Sequence, residues 1–180
     1  MMESIVSLRA RLGVFGRDCS GNATLEFVII FPFLMFMILS IAEAGILMTR
    51  VAMLDRGVDI ANRDLRLGLT PGITHDGLKT KICEAAFLLG GCNDAVLLEL
   101  TPLATVAGFP TGGANCIDRT SEVEPAVSFT PGVPSEIMLV RACVIVEPMF
   151  PGMGLGAMLP VDASGGYAII VQSAFMNEPG

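Results

Sequence analysis

Residues 27–42 read FVIIFPFLMFMILSIA, sixteen positions without a charge. Glu43 interrupts the run, and residues 44–49 carry it on to Arg50, so that 23 residues hold a single acid. As an α-helix that stretch is roughly 34 Å long, and a hydrocarbon core of about 30 Å needs some 20 residues. One membrane span fits. The competing reading is a buried core helix, but soluble helices are seldom apolar on every face over such a length. Beyond Arg50 the pattern turns periodic. Val51, Leu54, Val58, Ala61 and Leu65 recur at spacings of three and four, with Asp55, Arg56, Asp59, Arg63, Asp64 and Arg66 on the other faces, which is an a/d stripe. Asp59 and Arg63 are ordered for an i, i+4 pair, and Thr70-Pro71-Gly72 is expected to stop the helix. A single helix over 23–69 would be about 70 Å long. Its first half would sit in lipid. Its second half would lay the stripe on the chain's own domain, with a coiled coil as the alternative.

From residue 70 onward short apolar runs alternate with Gly and Pro. Residues 77–89 read as a short amphipathic helix, and 96–100, 136–147 and 166–175 as strands, the last two rich in Val and Ile. Residues 109–113 and 148–160 read as loops. The expectation is an α+β chain of four zones: a basic cytoplasmic leader over 1–21, a transmembrane helix over 22–49, a helix extension over 50–69, and a small extracytoplasmic domain with an antiparallel sheet over 70–180.

Charge orients this arrangement. Arg9, Arg11 and Arg17 face only Glu3 and Asp18 in the leader, whereas residues 70–180 hold Lys79, Lys81, Arg119 and Arg141 against eleven acids. Positive-inside bias puts the N-terminus in the cytoplasm. No small-residue site follows the apolar run where a secretory signal would be cut. The net charge of −7 argues against nucleic acid, which needs clustered Lys and Arg. Cysteine usage agrees with the topology. Cys19 falls in the leader, leaving Cys83, Cys92, Cys116 and Cys143, an even set that reads as two disulfides in an oxidising compartment. Three connectivities are open, and loop length points to Cys83–Cys92 with Cys116–Cys143; four free thiols is the other reading.

Catalytic chemistry has little to work with. The one histidine, His75, lies in a Gly-rich turn with no evident orienting group for a Ser or Cys nucleophile. Gly152-Met-Gly-Leu-Gly156 is like a phosphate loop only in its glycines, and Pro151 and Pro160 oppose a helix N-terminus there. Asp118, Glu122 and Glu124 read as a solvated acidic loop rather than a calcium site. No CxxC suggests zinc. Glu43 is either an intramembrane acid with a function or a side chain that snorkels to the interface. No enzyme, metal or cofactor is expected.

The leader junction carries the most specific signal. Gly21-Asn22-Ala23-Thr24-Leu25-Glu26-Phe27 opens directly into the apolar run. Gly21 breaks helix locally and leaves an extended bond for a membrane peptidase. Glu26 would lie about 6 Å into the span, where a carboxylate needs a partner. Cutting after Gly21 would supply one, the α-amine of Asn22. A basic leader, a glycine, a glutamate five residues on and a span, in that order, resemble the prepilin-peptidase site of type IV pilins. The run ATLEFVIIFPFLMFMILSIAEAG further resembles the head of TadE-like proteins, with Glu-Phe, a proline inside the span and a glutamate just ahead of a glycine. The closing VQSAFMNEPG is similar to that family's C-terminal strand. Phe27 departs from the tyrosine usual in the major pilin of that system, and the external domain is far larger than a major pilin's.

What the resemblance implies is a minor pseudopilin of a Tad (tight adherence) type IV pilus. It would be cut between Gly21 and Asn22, with Glu26 and Phe27 setting register between subunits. Its partners would be the bacterial inner membrane, prepilin peptidase and other pilin and pseudopilin subunits. The alternatives are an uncleaved single-pass binding protein and a minor pseudopilin of a type II secretion system.

Overall fold

Asn22–Arg66 form one unbroken helix of 45 residues, α1, in the computed structural model, which describes residues 22–105, 109–110, 114–120 and 125–178. The leader, with Arg9, Arg11, Arg17, Cys19 and Gly21, lies outside the described residues, as do Glu122 and Glu124. Pro32 sits inside the helix; the carbonyl it leaves unbonded is a defect that spanning helices tolerate. Ser40 and Thr49 turn their hydroxyls back onto the carbonyls of Phe36 and Gly45, at 2.8 and 2.7 Å, which satisfies those groups without water.

The helix ends earlier than Thr70-Pro71-Gly72 suggests. Gly68 takes the left-handed conformation, φ +64°, Leu69 N–H donates to the Asp64 carbonyl, and Gly68 N–H to that of Leu65. This is a Schellman stop, and glycine supplies the positive φ that it needs. The Thr70–Ile73 turn follows it. Then come α2 (His75–Ala85), capped by the Thr74 side chain on Gly77 N–H, a short helix α3 (Cys92–Ala95), and β1 (Val96–Leu103). The strand β2 spans Ile137–Val146 and β3 spans Tyr167–Met176, with a 3-10 turn at Gly154–Ala157 between them. Residues 148–160 are thus a loop with one turn of helix inside it.

The three strands form an antiparallel sheet in the order β1-β2-β3. Register places Leu98, Ala142 and Val171 in one row and Glu99, Arg141 and Gln172 in the next, so alternate residues face opposite sides. The first row belongs to the face under the helices. There Leu54, Val58 and Ala61 of α1 meet Leu78 and Ile82 of α2 and the apolar residues of all three strands, each of these helix residues almost wholly buried. The a/d stripe therefore lies on the chain's own domain. Burying each Leu, Ile or Val contributes about 1.5–3 kcal/mol. The approach of the helices is close: a β-carbon at Gly57 would lie 2.6 Å from the Ile82 carbonyl oxygen. Asp59 and Arg63 are both exposed, and neither forms an ion pair among the described residues. Neighbouring charges pair across elements instead, Asp64 with Lys81 and Arg66 with Glu178.

On its second face the sheet is covered over β1 and β2 by residues of the connection between them, while Ala168, Ile170, Gln172 and Ala174 of β3 are exposed there. Cys116 is bonded to Cys143 there, and Asn115 donates to Glu99, which pairs with Arg141 at 3.4 Å.

Candidate functional site

The chemistry-bearing positions fall on α1, at two heights. At the lower end, Asn22 opens the helix, and residues 23–34 are all exposed. Glu26 and Phe27 lie in this free stretch. The Phe27 ring meets that of Phe31 on the next turn in a tilted pair, ring centres 5.3 Å apart, and Glu26 has no ion pair among the described residues. Among the described residues α1 is the one helix long and apolar enough to cross a membrane, and none of its apolar window is buried. A core helix would be covered. The exposure suits single-pass anchoring, since apolar side chains facing outward on every side match a lipid surrounding.

The upper height begins where the domain first covers the helix, at Met35, Leu39 and Ser40, and its centre is Glu43. This side chain is 0% exposed. Its two carboxyl oxygens accept from the backbone N–H of Met149 and Phe150, at 3.1 and 2.9 Å. Glu43 therefore neither snorkels to water nor stands alone in lipid. It holds the loop after β2 onto the helix. Two turns further on, Arg50 donates to the Glu147 carbonyl at 2.8 Å and to the Tyr167 hydroxyl at 3.1 Å. Sequence reading singled out Glu43 but not this role, and it missed Arg50 and the loop amides of Met149 and Phe150. The available signal was an acid in a charge-free run together with a second polar-free stretch, 148–161, whose amides needed acceptors.

The remaining sequence candidates resolve into structural parts. Cys83 is bonded to Cys92, tying α2 to α3, and Cys116 to Cys143. His75 is the first residue of α2 rather than a turn residue. One ring nitrogen lies 3.2 Å from the Leu98 carbonyl, the other 3.2 Å from Asp76, and Phe129 meets the ring edge-on. Two of the glycines of 152–156 serve close packing: Gly154, φ +60°, lies where a β-carbon would come within 2.7 Å of the Ser40 hydroxyl, and one at Gly156 would meet the Phe150 carbonyl, whereas Gly152 faces open space. Asp118 accepts from Thr120 N–H and hydroxyl, and these bonds hold its carboxyl below the usual range. No cluster of metal-ligating side chains forms among the described residues. Asn62 is buried at the wall of a cleft lined also by Arg63, Ser173 and Phe175, and its side-chain amide has no partner among the described residues.

Fold and site together define a disulfide-stapled α+β domain built directly onto a long, exposed apolar helix, an arrangement that suits single-pass membrane anchoring. The family model described as TadE-like protein matches residues 21–63, so over most of α1 the chain is similar to that family. No curated protein and no solved structure matches it.

Proposed function

We propose that the chain is a minor pseudopilin of a Tad-type (type IV) pilus, cut by prepilin peptidase between Gly21 and Asn22 and acting by packing rather than by catalysis. The observation that carries this reading is the TadE-like match over 21–63. It begins at the glycine of the proposed cut and covers the helix that a processed subunit would pack against its neighbours. The exposed apolar surface of residues 23–34 is the material for that packing. The leader arginines favour a cytoplasmic N-terminus, and two disulfides suit a periplasmic domain. The membrane would then be the bacterial inner membrane. Surface adherence through the pilus is the function this implies.

Intact-mass measurement of membrane fractions tests it. In cells with an active prepilin peptidase the chain should begin at Asn22. A persistent Met1 terminus would overturn the pseudopilin reading and favour an uncut anchored binding protein.

A further inference from the structure

Residues 148–161, PMFPGMGLGAMLPV, contain no polar side chain, yet they connect two strands at the surface. One side of this segment is fixed to α1 by the Glu43 bonds and by the seat of Gly154 on Ser40. Much of the rest faces outward: Met149 is 54% exposed, Met153 52% and Met158 77%. Leu88 shares a groove with Met149 and α1, and its neighbour Phe87 is also exposed. A contiguous apolar surface of this kind marks a contact, and its height along α1 says with what.

From Ala23 to Ser40 the helix rises about 26 Å, and to Glu43 about 30 Å. A hydrocarbon core is about 30 Å thick. If α1 crosses it from its first turn, Ser40 and Glu43 reach the far boundary, and the segment seated on them lies at the level of headgroups and upper acyl chains. That is the depth at which surface-bound apolar elements embed, about 5–10 Å. Charge follows the same geometry. Glu147 and Asp162 bracket the segment, and their carboxylates are engaged outside it, Glu147 by Arg119 and Asp162 by Ser164.

We propose that residues 148–161 form a foot embedded in the outer interface of the bilayer that α1 crosses. Its occupant is lipid, and Glu43 fixes its depth. The inference needs a spanning α1 but not the pilus reading. A second copy of the chain lying on the same surface is the rival outcome.

The chain has no tryptophan, so Met158→Trp is a sole reporter. The full chain carrying it is reconstituted in phosphatidylethanolamine–phosphatidylglycerol vesicles doped with lipids brominated either near the headgroup or near the chain end. Phe33→Trp, at mid-span, and Leu69→Trp, beyond the far end of α1, are the references. Met158→Trp should emit to the blue and lose emission chiefly to the shallow bromines, Phe33→Trp chiefly to the deep ones, and Leu69→Trp to neither. Met153→Trp should repeat the Met158→Trp result and guards against one misfolded variant. Reporters at 153 and 158 that behave like Leu69→Trp would overturn the foot. So would a blue shift that ignores bromine and grows with protein density, which assigns the surface to a second copy. An unquenched Phe33→Trp would overturn spanning and foot together, whatever the terminus found by mass.

Discussion

At Glu43 a carboxyl group replaces the water that two backbone N–H groups would otherwise require. Without it the amides of Met149 and Phe150 lose their acceptors, at about 1–3 kcal/mol for each buried donor. Glu43→Gln keeps the shape but offers one acceptor oxygen and points its own amide N–H at the second donor. We expect a lower Tm in detergent and faster limited proteolysis within residues 148–160, with Glu43→Ala at least as severe. Wild-type cleavage rates in both variants would show that the loop is held without this side chain. Asp162 acts in a different medium. The Ser164 hydroxyl and the backbone N–H groups of Ser164 and Gly166 all donate to it, and Arg119 lies nearby, so its carboxyl is held below the usual range. A depressed carboxyl pKa contributes stability that is fully present above the unfolded value of about 3.9 and fades as pH falls through the folded value. The turn before β3 should therefore be unchanged between pH 7 and 5 and loosen only in stronger acid. Amide exchange at Ser164 and Gly166 measures this, and loosening already near pH 6 would contradict it.

Among the elements, the two disulfides do unequal work. Cys83 and Cys92 are nine residues apart, and Cys116 and Cys143 are 27 apart; loop-closure entropy assigns about 2.5 and about 3.5 kcal/mol to them. The longer bridge also fastens the β1–β2 connection over Glu99 and Arg141. Replacing Cys116 and Cys143 together by Ser should lower Tm more than the same change at Cys83 and Cys92, and non-reducing peptide mapping should return these two bridges. Equal losses would mean that the outer face holds its cover by other contacts. Much of this level was legible in sequence because its causes are local. The periodicity of 51–65 announced a helix with one buried face, and Val- and Ile-rich runs placed β2 and β3 within a residue or two. The end of α1 was misplaced, since Gly68 acts through hydrogen bonds back to Asp64 and Leu65, whereas Pro71 and Gly72 merely look like a stronger stop. Glu43 was harder to read, because its partners stand more than a hundred residues away and are backbone groups, which no side-chain pattern reveals.

For the molecule as a whole, the free lower end of α1 is where subunits would meet. A processed neighbour would bring its Asn22 α-amine to the depth of Glu26. Charge neutralisation is stronger there than at a wet surface, though desolvation offsets part of it. Its main effect is axial register, because apolar faces slide past one another with little resistance. Glu26→Gln should still insert and still be cut after Gly21, but co-purification with pilin and surface piliation should fall when it replaces the wild-type copy. Normal pili from the processed variant would show that register is set elsewhere. The upper half of α1 has a mechanical meaning. Glu43, Arg50, Asp64 and Arg66 bind it to the domain at four levels, with no hinge between the span and the body. A torque applied to the domain in water therefore turns the helix in lipid, and a pull on the helix lifts the domain with it. Whatever grips the body outside the membrane also steers the anchor within it.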